Sequence, residues 1–336
     1  MTDYKNLKLI ASSSPHIRGN ETTRGLMRDV LLALLPALVM AAYVFGARAI
    51  VLSAVSVASA VGFEWLYRKL MKKHQTVDDL SAAVTGLLLA MVCPVQLPYW
   101  TVVIGNFFAI FVVKQLFGGL GKNFVNPALA GRAFLLASYS VLMTTWAAPM
   151  TRASVVGADA VTAATPMSYL SANNLAGLKE AYSVSDMLLG KVGGSLGEVS
   201  ALMLLAGGAY LIARKVITWH IPVAYIGTVA LLTLLFPRGN DAMEWMLYNV
   251  LGGGLMLGAI FMATDYVTSP VTKKGQLIYG VGCGLLTVFI RYFGAYPEGV
   301  CYSIMTMNLC VWLIDSTVKP ARFGVAKSNK KEGATK

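Results

Sequence analysis

Apolar runs of roughly membrane-crossing length, separated by short polar or basic connections, cover most of the chain. The pattern predicts ten helical spans. The first runs from about Asp29 to Gly46 and the second from Ala49 to Tyr67, followed by Leu80 to Leu97, Tyr99 to Leu116 and Phe124 to Trp146. After a long interruption come Leu196 to Ala213, Trp219 to Phe236, Trp245 to Ala263, Leu277 to Phe293 and Val300 to Val318. The expected organisation is a polar segment with five helices over residues 1–147, a loop over 148–195, a second group of five over 196–318 and a basic tail over 319–336. The stretch Gly86 to Pro94 resembles Gly258 to Pro270, and Lys114-Gln-Leu-Phe-Gly118 echoes Arg291-Tyr-Phe-Gly294. Both matches lay spans three to five over spans eight to ten. An offset of five spans inserts the halves in opposite senses, so the predicted fold is an all-α polytopic membrane protein with an inverted five-plus-five repeat.

Composition agrees with that pattern. Hydrophobic residues make up 56% of the sequence and charged residues 13%, against about a quarter charged in soluble domains. The net charge of +12 does not point to nucleic acid, because the basic residues sit in short clusters between apolar runs. Of the 28 lysines and arginines, 21 fall on the side of the amino terminus. The positive-inside rule then predicts both termini in the cytoplasm and residues 148–195 outside. The first 25 residues have no apolar core, so the first span is expected to serve as the insertion signal.

Several chemistries are excluded. Cys93, Cys283, Cys301 and Cys310 have no C-x-x-C spacing, and His16, His74 and His220 lie in separate segments, so no metal centre is expected. Gly118 to Asn123 has glycines and a lysine, but Leu116 and Asn123 stand where a phosphate loop needs Gly and Ser or Thr. Asp29, Glu64, Glu198, Glu244 and Asp315 lie near span ends, where reaching toward water is their expected role. Arg132 falls inside the fifth span and Asp265 closes the eighth, and both are expected to be buried and neutralised, one in each repeat, near an ion path or a bound cofactor. In the long loop, Gly157-Ala-Asp-Ala-Val-Thr-Ala-Ala-Thr-Pro-Met167 has little bulk to shield the hydroxyl of Thr165. Thr165 is therefore expected to be open to modification, with Asp159 and Thr162 beside it.

Three stretches carry a family resemblance. Gly118 to Ala128, Ala263 to Pro270 and Arg291 to Gly299, together with Ser14-Pro-His-Ile17, resemble a bacterial flavoprotein family. It comprises RnfD, the D component of the Rnf ion-translocating ferredoxin:NAD oxidoreductase, and NqrB, the B component of the sodium-pumping NADH:quinone reductase. The absence of a longer amino-terminal extension favours the Rnf branch. The resemblance implies FMN joined to Thr165 by a phosphoester, with Asp159 and Thr162 in the motif, Ala163 standing where the family more often has Gly. It also implies a separate flavin transferase, a non-covalent riboflavin among the spans, and the other Rnf proteins, including the flavin-bearing G component, as partners. The expected activity is electron relay coupled to Na+ or H+ transport across the bacterial cytoplasmic membrane. A urea-channel-like small-solute conduit is the competing reading, and covalent flavin separates the two.

Overall fold

A computed structural model describes residues 21–150, 161–239, 241–294, 296 and 298–319. Among these residues the chain is all-α, and extended pairing is limited to one bridge between Ala147 and Thr162. The first half contains α1 (Thr23–Phe45), α2 (Ala47–Leu70), α3 (Ser81–Met91), α4 (Tyr99–Gln115), α5 (Pro127–Ser138) and the one-turn α6 (Ser140–Met143). Three short helices follow: α7 (Pro166–Ser171), α8 (Leu175–Ala181) and α9 (Val184–Leu189). The second half contains α10 (Ala201–Ala213), α11 (His220–Leu235), α12 (Ala242–Leu251), α13 (Leu255–Met262), α14 (Lys273–Phe293) and α15 (Val300–Thr317).

The outer faces show what surrounds the bundle. On α1, Ala33, Leu34, Ala37 and Ala41 are buried, whereas Leu32, Leu35, Val39 and Tyr43 are exposed. A soluble helix would turn polar side chains outward, so a helix apolar on both sides marks one solvated by lipid. Small residues on the inner face let helices approach closely. The Thr22 hydroxyl accepts from Gly25 N at 3.2 Å and starts α1, and Gly46, at φ 82°, ends it and begins α2 at once.

The packing repeats. α2 lies against α3 and α4, and α5 against α3 and α4. Correspondingly, α11 lies against α12, the end of α13 and α14, and α15 against the end of α13 and α14. The halves meet along two seams, α1 on α10 and α5 on α15. Asp29 of α1 pairs with Arg214, just past α10, at 3.1 Å and ties the first seam.

The ten expected segments are present, but several differ in length from the expected spans. Among the described residues four helices, α1, α2, α14 and α15, are long and apolar enough to cross a membrane unaided; α12 and α13 make a fifth only across a 59° bend. At 11 residues, α3 extends roughly 16 Å, about half a hydrocarbon core. The expected third span, Leu80 to Leu97, therefore ends six residues early, and the expected fifth, Phe124 to Trp146, is helical as α5 and α6 only from Pro127. Short helices need partners for their exposed ends, and polar side chains from neighbouring elements supply them. Arg48 of α2 donates to the carbonyls of Val95 at 2.8 Å and Gln96 at 3.2 Å, just beyond α3. Arg291 of α14 donates to the carbonyls of Asn249 at 2.5 Å and Gly252 at 3.1 Å, at the end of α12. Asn126 Oδ1 caps α5 through Ala128 N at 3.0 Å. Thus each half carries a broken span closed by a buried arginine from a neighbour.

Residues 166–192, expected as a loop, are a folded cap. Met167, Leu170, Leu178, Tyr182 and Met187 pack with Trp245 and Tyr248 of α12 in a hydrophobic cluster of their own. The Ser183 hydroxyl starts α9 in a reciprocal capping box with Asp186. That hydroxyl, followed by the Ser183 amide, holds the Asp186 carboxyl below its usual range.

Candidate functional site

Thr165 sits where the cap meets the bundle. Backbone pairing brings its motif there: Ala148 N donates to Val161 O at 2.8 Å and Ala163 N to Trp146 O at 3.1 Å. The Tyr182 hydroxyl donates to Ala164 O at 3.0 Å and holds the next residue. Contrary to expectation, Thr165 is buried, at 9% exposure. Its hydroxyl accepts from Ser168 N at 3.3 Å and caps α7, and Pro166 fills the first helical position. Small neighbours do not expose it because the cap folds over them. Thr162 is exposed and takes part in the bridge to Ala147, while Asp159 lies outside the described residues.

Thr165 faces a cavity of about 60 Å³ shared with Arg132, Trp146, Tyr296, Glu298, Cys301 and Tyr302. Arg132 comes from α5, whose start is set by Asn126 and Pro127, and is 5% exposed. Its guanidinium pairs with Glu298 from the turn before α15, 166 residues away in sequence. Arg132 Nε has no hydrogen-bond partner among the described residues. Glu298 is also held by its backbone, since its carbonyl accepts from Arg291 Nε at 3.0 Å. Glu198 interacts electrostatically with Arg132, Glu298 and Arg291, so two arginines and two glutamates form one cluster beneath the cap. Tyr296 and Tyr302 pack with ring centroids 5.2 Å apart, and Tyr296 stands exposed at the rim.

Asp265 lies elsewhere. Its carboxylate accepts from the Thr268 hydroxyl at 3.0 Å. It lines a separate cavity of about 80 Å³ between the halves, with Ser81, Thr85, Lys114, Asn123 and Asn126. Arg132 is thus neutralised as expected, whereas Asp265 is half-buried without an ion pair among the described residues, and the two do not share a site.

The expectation for the acidic residues at span ends also changes. Glu64 is 1% exposed, receives Lys114 Nζ at 2.7 Å and the Thr76 hydroxyl at 2.6 Å, and does not reach toward water. Lys114 also donates to the Ser81 hydroxyl at 2.6 Å, joining α4 to α2 and α3. Asp29 pairs across the halves, and Glu244 pairs with Lys179 of the cap. Glu298 is not singled out by sequence reasoning, although it stands in the Arg291 to Gly299 stretch; nothing local distinguishes a carboxylate paired at long range from one in a polar turn. Cys93, Cys283 and Cys301 are buried, in keeping with a packing role, and no His, Cys, Asp and Glu cluster suited to a metal occurs among the described residues.

Residues 10–324 match the NQR2, RnfD, RnfE family. The chain is 49% identical over 331 residues to the D component of the Na+-translocating ferredoxin:NAD+ oxidoreductase complex of Acetobacterium woodii, covering 98% of this chain and 99% of the relative. It is 44% identical to the D component of the proton-translocating ferredoxin:NAD+ oxidoreductase complex of Clostridium ljungdahlii, covering 96% and 98%. With the D component of the ion-translocating oxidoreductase complex of Shewanella amazonensis the identity is 39%, covering 93% and 97%.

Proposed function

Because the chain belongs to the NQR2, RnfD, RnfE family, we propose that it is the membrane-embedded D component of an Rnf-type ion-translocating ferredoxin:NAD oxidoreductase, carrying FMN on Thr165. The reading rests on one observation: Thr165 lines a cavity whose wall also holds the Arg132 and Glu298 pair, and Arg132 Nε is buried without a hydrogen-bond partner among the described residues. A buried threonine beside an orphaned cationic donor suits a tethered, polar, redox-active group better than a plain connection does. FMN would supply transfer of electrons singly or in pairs, and the protein position and electrostatics. Arg132 and Glu298 hold fixed charge beside Thr165, Trp146 and the two tyrosines wall the cavity, and the cap restricts water.

Thr165 is the α7 cap, so a flavin transferase must act before the cap closes or on an opened cap. The chain lies in the cytoplasmic membrane with both termini inside, the cap outside, and the remaining Rnf proteins, including the flavin-bearing G component, as partners. Asp265 belongs to the ion path. Its cavity of about 80 Å³, at about 30 Å³ per water, has room for two or three waters. Identity to both a sodium- and a proton-translocating relative leaves Na+ and H+ alike open to this chain.

The test is expression with a flavin transferase and mass spectrometry of the peptide containing Thr165. Thr165→Ala is expected to carry no covalent flavin, whereas Thr162→Ala, whose bridge runs through backbone atoms, keeps some. Covalent flavin persisting on Thr165→Ala moves the attachment elsewhere. A wild-type protein without covalent flavin favours the conduit.

A further inference from the structure

The Arg132 and Glu298 pair does more than neutralise itself. A buried ion pair whose purpose was only to join α5 to the turn before α15 would satisfy all its donors away from open space. Here both side chains line the cavity that Thr165 faces, and Arg132 Nε is buried without an acceptor among the described residues. The remaining wall is mostly apolar, with three aromatic rings in it: Trp146, placed by the backbone pairing to Ala163, and the packed rings of Tyr296 and Tyr302, alongside Leu136, Met143 and Cys301. A cavity with aromatic rings, apolar side chains and a charged pair in its wall suits the edge of a planar, electron-accepting ring more than an extended polar chain.

We propose that Arg132 and Glu298 are the residues that set the reduction potential of the flavin borne by Thr165, one edge of its ring entering this cavity toward Arg132. The proposal rests on the attachment proposed above. A flavin ring gains negative charge on reduction, and a fixed charge in a dry wall acts strongly on that change. Arg132 favours the reduced ring and raises the potential. Glu298 opposes it while holding the guanidinium in place. The pair thus works as an adjustable field, in which removing either member leaves the other uncompensated. Glu198 and Arg291 interact electrostatically with the pair and complete the cluster.

The two members must therefore act with opposite sign, which a merely structural pair would not do. The experiment is a redox titration, followed by flavin absorbance, of the full-length chain purified with its covalent flavin, for wild type, Arg132→Gln, Glu298→Gln and Arg132→Lys. In-gel flavin fluorescence scores loading separately. Arg132→Gln is expected to lower the ratio of reduced to oxidised flavin at a given potential by tenfold or more, a downward shift of at least about 30 mV for a two-electron couple. Glu298→Gln is expected to move the potential upward, and Arg132→Lys, which keeps the charge, to stay near wild type. Loaded variants whose potentials do not move, or move in the same direction, overturn the proposal and leave the attachment at Thr165 standing. If Arg132→Gln fails to fold, Glu298→Gln and Arg132→Lys still decide through the upward shift and its absence. A wild-type chain that carries no flavin on Thr165 overturns both.

Discussion

Single side chains carry large consequences here because so many charges are buried. The Glu64 and Lys114 pair is the clearest case, with both side chains almost fully enclosed and 2.7 Å apart. Removing one partner strands the other in a low-dielectric interior, which costs about 3 to 5 kcal/mol, whereas replacing both by neutral groups costs far less. Lys114→Met is therefore expected to lower the thermal unfolding midpoint of the purified protein markedly, and the double variant Lys114→Met with Glu64→Gln to recover most of the loss. Equal losses in the single and double variants would show that the pair contributes through packing alone. At Thr165 the correction matters for the choice of variant: as a buried helix cap, its change to Ala costs about 1 kcal/mol, a small loss that leaves the fold intact. A missing flavin in that variant then reports the missing hydroxyl.

The elements owe their shapes to local backbone chemistry combined with distant partners. The bend between α12 and α13 runs through Gly253 at φ 66° and Gly254 at φ 67°, left-handed positions that glycine adopts without steric cost. A Cβ on Gly253 would also meet an Arg291 nitrogen at 2.6 Å, the group that donates to the Gly252 carbonyl. Gly253→Ala is expected to destabilise by about 1 to 2 kcal/mol from the backbone alone, and more from displacing Arg291. A thermal midpoint equal to wild type would contradict that account. The wide winding of Phe107–Gln115 and Gly258–Met262, with Leu116 N bonded to Phe111 O and Ala263 N to Gly258 O, gives both halves a π-helical segment. Such segments often mark functional sites, and the second leads directly into the Asp265 cavity.

The two halves together form a bundle whose apolar outer surface meets lipid and whose polar groups converge on two cavities between them. Repeated packing with an odd number of segments per half makes the halves run in opposite senses. With the proposed cytoplasmic termini, Ser171 on the exposed side of α7 is expected, as a Cys variant free of native thiols, to react with a membrane-impermeant reagent in intact cells. Protection of that position in intact cells and labelling in inverted vesicles would reverse the orientation. Arg48 and Arg291, counted toward the outer side in the charge pattern, are spent on carbonyls inside the protein. Excluding them makes the basic asymmetry of the accessible segments steeper than the raw sequence suggests.

Much of this protein is legible in the chain alone. Apolar runs are local in sequence, so segment number, membrane residence and the five-plus-five repeat follow from reading the chain window by window. The stretches around Gly118, Asp265 and Arg291, read as a family resemblance, agree with the family match over residues 10–324. Folding in three dimensions determined the rest. Where a span breaks, another element must take the carbonyls left free: Arg291 takes that of Asn249 in the last turn of α12 from 42 residues away, and Arg48 takes that of Val95 in the turn after α3 from 47 residues away. Thr165 is buried because a cap assembled from α7 to α9 packs on Trp245 and Tyr248. Arg132 and Glu298, 166 residues apart, become partners only when the two halves dock. Hydropathy sums over neighbours along the chain, whereas electrostatic and hydrogen-bond pairing act between neighbours in space.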